Sequence, residues 1–257
     1  MSFWNENRTH RAAPAVIGHR GAPDLATENT ARSVELAMSV GADIVETDVR
    51  LTADGHIVCF HDANFQRLCG RNERVDSVSL SDARAIFPEL LEFDDFLELT
   101  RDWPVIVDTK FCGRVQIDRF VEAVENHAAF DRSLFSSYSP EIATMIRERS
   151  KHANIGTFFL GRAVDLEATH SVGAKWVRVM PEDYAPSILG EIHAAGLSTI
   201  AIASPLAKVC TSTDRPALEQ LASLGIDAII TSRPEFAVEL FGDVVPGRSA
   251  VAGERDI

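Results

Sequence analysis

Short runs of Val, Ile and other apolar residues alternate with longer stretches in which apolar positions recur every three or four residues, from near the start of the chain to near its end. The short runs predict eight strands: Ala15 to His19, Asp43 to Arg50, Pro104 to Lys110, Ser133 to Tyr138, Asn154 to Leu160, Lys175 to Met180, Leu197 to Ala203 and Asp227 to Ser232. The helical stretches between them include Glu28 to Val40, Val115 to Ala128, Pro140 to Lys151, Ala185 to Ala195 and Pro216 to Leu224. Gly41, Gly173, Gly196 and Gly225 each stand between such a stretch and the next strand, where left-handed backbone ends a helix. Strict alternation of strand and helix implies a parallel sheet, and eight units predict a closed (β/α)8 TIM barrel.

One segment breaks the rhythm. After the second strand, Ala53-Asp54-Gly55 reads as a hairpin turn into a strand from His56 to His61, and about 30 polar, mixed residues follow before the next helix. The chain is therefore expected to be one barrel domain over residues 1–257, with an inserted subdomain at about 56–95 folding over the mouth and a loosely ordered tail at 244–257.

Within the second strand, Glu46 and Asp48 are two residues apart and leave one face, while Val45 and Val49 leave the other. Asp108 and Lys110 repeat this at the end of the third strand. Barrel active sites lie where strands end, so these groups should meet His19 and Arg20 around one mouth. Three crowded carboxylates repel one another, and two arrangements relieve that: a divalent cation with oxygen ligands, magnesium or calcium rather than zinc, or a salt-bridge network with Arg20, Arg50 and Lys110. His19 and His61 are the acid–base candidates, since imidazole titrates nearest neutrality. His127, His152 and His193 fall near helix ends, His170 within a helix and His10 in a polar arm, where solvated or capping roles are expected.

Charge and composition narrow the chemistry. A hydrophobic content of 46% suffices for a large core, and a formal charge of −13 argues against a nucleic-acid partner gripped by a basic surface. An anionic substrate then needs a metal ion or a few placed cations. The start, Met1 to Arg11, has no apolar stretch of signal-peptide length and no later segment approaches a membrane span, so a cytoplasmic protein without membrane insertion is expected, its oligomeric state unspecified. Cys59, Cys69, Cys112 and Cys210 are scattered and read as reduced thiols.

Four segments together carry a resemblance: Ile17-Gly18-His19-Arg20-Gly21-Ala22, Thr27-Glu28-Asn29-Thr30, Gly41 to Val49, and Phe60-His61-Asp62. With the final strand and its Thr231-Ser232-Arg233-Pro234, the chain resembles the glycerophosphodiester phosphodiesterase family over most of its length. The resemblance implies the barrel, the insertion after the second strand, a divalent metal, and hydrolysis of a small-molecule phosphodiester to a phosphomonoester and an alcohol. By position it implies Glu46, Asp48 and Asp108 as metal ligands, His19 and His61 as the catalytic pair, and Arg20 and Lys110 as phosphate-binding cations. Glu28 and Asn29, which open the first helix, either orient Arg20 or cap the backbone. Ser137 faces the mouth or bonds backbone.

The chain departs from the family's pattern in four places. Asp108 stands where a glutamate is usual, Thr27 replaces a proline, and Ser232 replaces an aspartate, the last two read as neutral changes. The seventh strand has Ala201 and other small residues where relatives place a tryptophan and a polar group, which implies a reshaped alcohol pocket. In the sixth strand, Trp176, Arg178 and Met180 share a face; Arg178 either points inward as a substrate-binding cation or is paired at the rim. A sugar phosphodiester of the opine type is therefore an alternative substrate. A phospholipase D-like transferase forming a cyclic phosphate and a non-catalytic phosphate-binding barrel are the competing functions.

Overall fold

The computed structural model describes Trp4 and residues 13–111, 113–137, 139–159, 163–204 and 213–242. The tail at 244–257, His10, Cys112 and Cys210 lie outside the described residues. Eight parallel strands form the barrel: β1 (Ala15–Gly18), β2 (Ile44–Leu51), β4 (Val105–Thr109), β5 (Ser133–Ser137), β6 (Asn154–Phe158), β7 (Trp176–Arg178), β8 (Ser198–Ala203) and β9 (Ala228–Thr231). Each pairs with the next in that order. The ring closes because β1 pairs on one side with β2 (Ile17↔Ile44) and on the other with β9 (Ala15↔Ala228 through Gly18↔Thr231). A short antiparallel strand, β3 (Ile57–Cys59), hangs on the end of β2.

Helices α1 (Ala31–Ser39), α5 (Arg114–Asn126), α6 (Pro140–Arg149), α8 (Pro186–Ala194) and α9 (Arg215–Ser223) match the predicted stretches, with ends shifted by a few residues. Gly41, Gly173, Gly196 and Gly225 all have positive φ, as their places after helices require. Five further helices among the described residues are α2 (Gln66–Cys69), α3 (Leu80–Ile86), α4 (Phe93–Leu99), α7 (Leu166–Ser171) and α10 (Pro234–Phe241). They are short, and a run of seven residues holds too few turns for an apolar stripe to stand out.

The strands sort their side chains by parity. Outward residues such as Val45, Val49, Val105 and Val107 pack against the helices with Phe93, Phe96 and Phe120. Inward residues at the amino-terminal end of the strands, among them Ile17, Ile44, Ile106, Leu134, Trp176, Ile200 and Ile230, form a dry plug. Two residues further along the same strands, the inward positions turn polar: Ile17 leads to His19, Ile44 to Glu46, Ile106 to Asp108, Trp176 to Arg178, and Ile230 to Ser232. One end of the barrel is thus filled with hydrocarbon and the other holds the chemistry.

Trp4 completes the plug from below. It is 1% exposed, its ring meets Trp176 edge-on at 5.4 Å, and its indole N–H donates to the Arg132 carbonyl at 2.8 Å. Nothing in the pattern of the polar amino-terminal arm signals this anchor, because a lone aromatic carries no periodicity.

The segment after β3 differs from the expected polar stretch. Val58, Phe60, Phe65, Val75, Leu80, Ala83, Phe87 and Leu90 bury one another in a small core of their own, with α3 as its helix. Its apolar residues are spaced too irregularly along the chain to read as one face. Helix α4 belongs instead to the barrel, since its own Phe93, Phe96 and Leu97 join the core around the strands. Among the described residues, no helix is long and apolar enough to cross a membrane.

Candidate active site

Asp48 and Asp108 are opposite each other in the β2–β4 register, and Glu46 precedes Asp48 on the same face. Adjacent parallel strands run about 4.8 Å apart, so this register brings the three carboxylates together by backbone geometry alone. Each offers an oxygen within 4.8 Å of the other two, and all three residues are buried. Oδ1 of Asp108 has no hydrogen-bond partner although it is buried.

Two cations hold this cluster. The Lys110 ammonium lies 2.9 Å from Asp48 Oδ1 and 2.8 Å from Asp108 Oδ2. Arg20 donates its backbone N–H to Glu46 Oε2 at 2.8 Å and one guanidinium N–H to Glu28 Oε1 at 2.8 Å. Its Nε is 3.1 Å from Asp48 Oδ2, close enough to pair as charges but badly aimed for a hydrogen bond. Burial opposes the charge on both cations, yet the surrounding carboxylates outweigh it and raise both pKa values. The carboxylates divide. Burial pushes Glu46 up, and the neighbouring Asp48 adds to it. Asp48 is driven up by burial too, but Lys110 and Arg20 overcome that and hold it well below the ordinary aspartate range. Arg50 donates to the His61 carbonyl at 2.8 Å.

The turn that carries His19 and Arg20 is cramped. Arg20 itself has φ of 57°, and a Cβ on Gly18 would come within 2.6 Å of the Gly21 carbonyl oxygen and 2.9 Å of Ala37 on α1. Asn29, also at positive φ, spends its side chain on β2: Oδ1 accepts from the Thr47 hydroxyl at 2.8 Å, and Nδ2 donates to Asp48 Oδ2 at 3.2 Å. Glu28 and Asn29 therefore orient Arg20 and Asp48, whereas the cap of α1 is Thr30, whose hydroxyl accepts from Ser33 N. Ser137 accepts from the Ser139 backbone N–H at 3.1 Å, a local backbone bond.

The two histidines are tied differently. His61 Nδ1 and Asp62 Oδ1 are 2.7 Å apart, and Asp62 is gripped in turn by Arg67 Nε at 2.6 Å. Arg67 also donates to both oxygens of Glu28, at 2.9 and 2.5 Å. An unbroken line of paired groups thus runs from Asp48 through Arg20, Glu28, Arg67 and Asp62 to His61. Arg67 comes from the inserted segment, and no motif in the sequence marked it.

His19 is 4% exposed, and Nδ1 lies 2.7 Å from Ser204 Oγ just beyond β8. The Ser204 hydroxyl is hydrogen-bonded in turn to that of Ser232 after β9. Burial, assisted by the Arg20 charge, lowers the His19 pKa well below the usual histidine value, so its ring is neutral at pH 7. Ser232 is accordingly more than a neutral replacement, because it fixes the residue that fixes His19. Ala201, by contrast, does not reach the mouth. Its side chain packs outward with Val16, Val177 and Leu189 against the helices. The residue that faces the site here is Ser204, just past the end of β8, three residues later and on the other parity.

Arg178 points inward, 8% exposed, with its guanidinium 4.6 Å from the centre of the Phe158 ring. His127 and His193 pair with Asp94 and Asp227 near helix ends, away from this cluster. Cys59 is a buried thiol pushed up to about 12 by burial, and Cys69 is likewise free.

A family model described as the glycerophosphoryl diester phosphodiesterase family matches residues 19–86, which span His19, Glu46, Asp48 and His61. A probable glycerophosphodiester phosphodiesterase 1 of Mycobacterium tuberculosis is 30% identical over 194 residues, covering 63% of this chain and 70% of that protein. A glycerophosphodiester phosphodiesterase of Caldanaerobacter subterraneus is 23% identical and covers 88% and 96% of the two chains. Among solved structures, a phosphodiesterase of Oleispira antarctica in complex with the product sn-glycerol-3-phosphate superposes with a TM-score of 0.77 at 22% identity, over 88% of this chain and 96% of that one.

Proposed function

This chain belongs to the glycerophosphoryl diester phosphodiesterase family and is a phosphoric diester hydrolase, and we propose that it cleaves a small glycerophosphodiester to a phosphomonoester and an alcohol, with His19 and His61 as base and acid beside a divalent cation. The observation that carries this is the buried triad of Glu46, Asp48 and Asp108, with both imidazoles within electrostatic reach of Asp48.

The triad fits a hard cation: three oxygen donors, one of them an orphaned buried oxygen, with the negative charge of the cluster only partly met by Lys110 and Arg20. Glu46, Asp48 and Asp108 would hold it, and magnesium or calcium suits them. When bound, the cation supplies Lewis-acid charge to the non-bridging phosphoryl oxygens. Arg20 and Lys110, already fixed by their carboxylates, add positive potential on the same side of the mouth.

Both rings are tied at Nδ1, so each reacts through Nε2. His19 is neutral because it is buried, and it takes the proton from the attacking water as the new P–O bond forms. His61, oriented by Asp62, gives its proton to the alkoxide as the old P–O bond breaks. Proton transfer leaves the two histidines in exchanged states, which release of products and exchange with water restore. The described residues act here as one barrel domain whose insertion, at about 56–95, supplies Arg67 and the carrier of His61. A cytoplasmic location accompanies this proposal.

The test is a screen of glycerophosphodiesters with magnesium, calcium and manganese, with released phosphomonoester and alcohol identified by phosphorus NMR. Hydrolysis in the wild type, and a drop of roughly 10²–10⁴-fold in His19→Ala and His61→Ala with metal binding retained, is expected. Wild-type rates in either variant would sink the mechanism, and a cyclic phosphate product would convert the enzyme to a transferase.

A further inference from the structure

Arg178 stands on the strand farthest from the metal-binding side. Around the closed sheet, β7 is four steps from β2 in either direction. Its guanidinium is buried, its Nε has no hydrogen-bond partner, and among the described residues it makes no ion pair, resting only on the Phe158 ring. Every other buried cation at the mouth is matched: Arg20 by Glu28 and Asp48, Lys110 by Asp48 and Asp108. A charge removed from water without an opposite charge is costly, and a cation–π contact returns only part of that cost. Its charge reaches the site only through space: it adds to burial and Arg20 in lowering the pKa of His19, and it favours the charged form of Glu46, with which it makes no ion pair.

A guanidinium held dry with no carboxylate of the described residues in contact is preorganised for an anion that arrives with the substrate. The scissile phosphoryl group already has its partners on β1, β2 and β4. An anion reaching across the mouth to β7 must therefore belong to the alcohol. We propose that Arg178 is a specificity residue that binds a carboxylate or second phosphate on the alcohol side of the diester, so that the enzyme prefers leaving groups with negative charge. This rests on the reading of the triad side as the seat of the scissile phosphate.

The experiment compares four diesters of sn-glycerol 3-phosphate whose alcohols are glycerate, glycerol phosphate, glycerol and choline. Glycerate and glycerol differ only by a carboxylate in place of a hydroxymethyl group. Values of kcat/KM are measured for wild type, Arg178→Met and Arg178→Lys, and dissociation constants for the same diesters are measured on His61→Ala protein with and without Arg178→Met. Wild type should prefer glycerate or glycerol phosphate over glycerol by about thirtyfold or more, with choline last. Arg178→Met should erase the preference, and Arg178→Lys should keep its sign at reduced size. Which of the two anionic alcohols leads identifies the group. The proposal is overturned if wild type treats glycerate, glycerol phosphate and glycerol alike, or if Arg178→Met lowers all four by one factor, which would assign the guanidinium to the scissile phosphate. Charge-selective binding that depends on Arg178 without hydrolysis of any diester would overturn the diesterase mechanism and leave this inference standing.

Discussion

Lys110 lies between two buried carboxylates, and replacing it by methionine keeps its length while removing its charge. The ammonium is 8% exposed and sits 2.9 Å from Asp48, itself 2% exposed, and 2.8 Å from Asp108, 4% exposed. At an effective dielectric of about 20, each contact carries roughly 6 kcal/mol of attraction, most of it offset by dehydration of the ions. Breaking such a buried pair from one side leaves the partner charges uncompensated and typically costs about 3–5 kcal/mol. In a domain of this size that is a fall of roughly 6–20 °C in Tm. The same substitution leaves Glu46, Asp48 and Asp108 facing one another with less positive charge between them, so a divalent cation gains more from binding. At about a hundredfold excess over its Kd, such an ion returns about 2.7 kcal/mol, most of the loss. Melting curves of wild type and Lys110→Met, each with chelator and with calcium or magnesium, test this directly. The variant should be strongly destabilised with chelator and rescued by metal more than wild type is. A loss of less than about 1 kcal/mol with chelator, or equal metal effects in the two proteins, would refute the assignment of the triad as a cation site.

Ser232→Ala removes the hydroxyl that orients Ser204, and Ser204→Ala removes the partner of His19 itself; each should lower kcat about tenfold or more with little change in KM, and nitrogen NMR should show the His19 tautomer becoming mixed. An unchanged tautomer with an unchanged kcat would make the serine pair structural. Trp4→Ala should cost about 3–5 kcal/mol, seen as a lower Tm, with kcat unaffected below the melt; a loss of turnover without loss of stability would contradict its place at the barrel floor. Since burial depresses the pKa of His19, the base stays ready through neutral pH, and the base-dependent limb of kcat/KM should fall as pH drops through that lowered value, below about 6.5. A base-dependent limb centred above about 6.5 in wild type that vanishes in His19→Ala would place its pKa on the other side.

Every barrel strand and the carboxylate triad were legible in the sequence, and for one reason. Strand parity is a covalent property: once Ile44 faces inward, so must Glu46 and Asp48, and the register with β4 needs only that the apolar runs align. The parts that were not legible depend on contacts between distant positions. Arg67 meets Glu28 across 39 residues and Ser204 meets His19 across 185, so no local spacing announces either. The seventh barrel strand shows the limit of parity itself. Ala201 was the natural position at which to look for a missing tryptophan, but its side chain leaves on the helix side, and the group that reaches the site is Ser204, beyond the strand's end. The inserted segment failed for a third reason: its phenylalanines collapse on one another rather than along one helix or strand, and a small irregular core has no period.

The pairing of Ala15 with Ala228 has a consequence for synthesis on the ribosome. The first strand leaves the exit tunnel long before its second neighbour exists, and until β9 emerges its backbone N–H and C=O groups on that side have no sheet partner. The nascent chain therefore carries an open edge for most of its translation. The site inherits that delay, because Ser232, which completes the support of His19, arrives directly after the strand that shuts the ring.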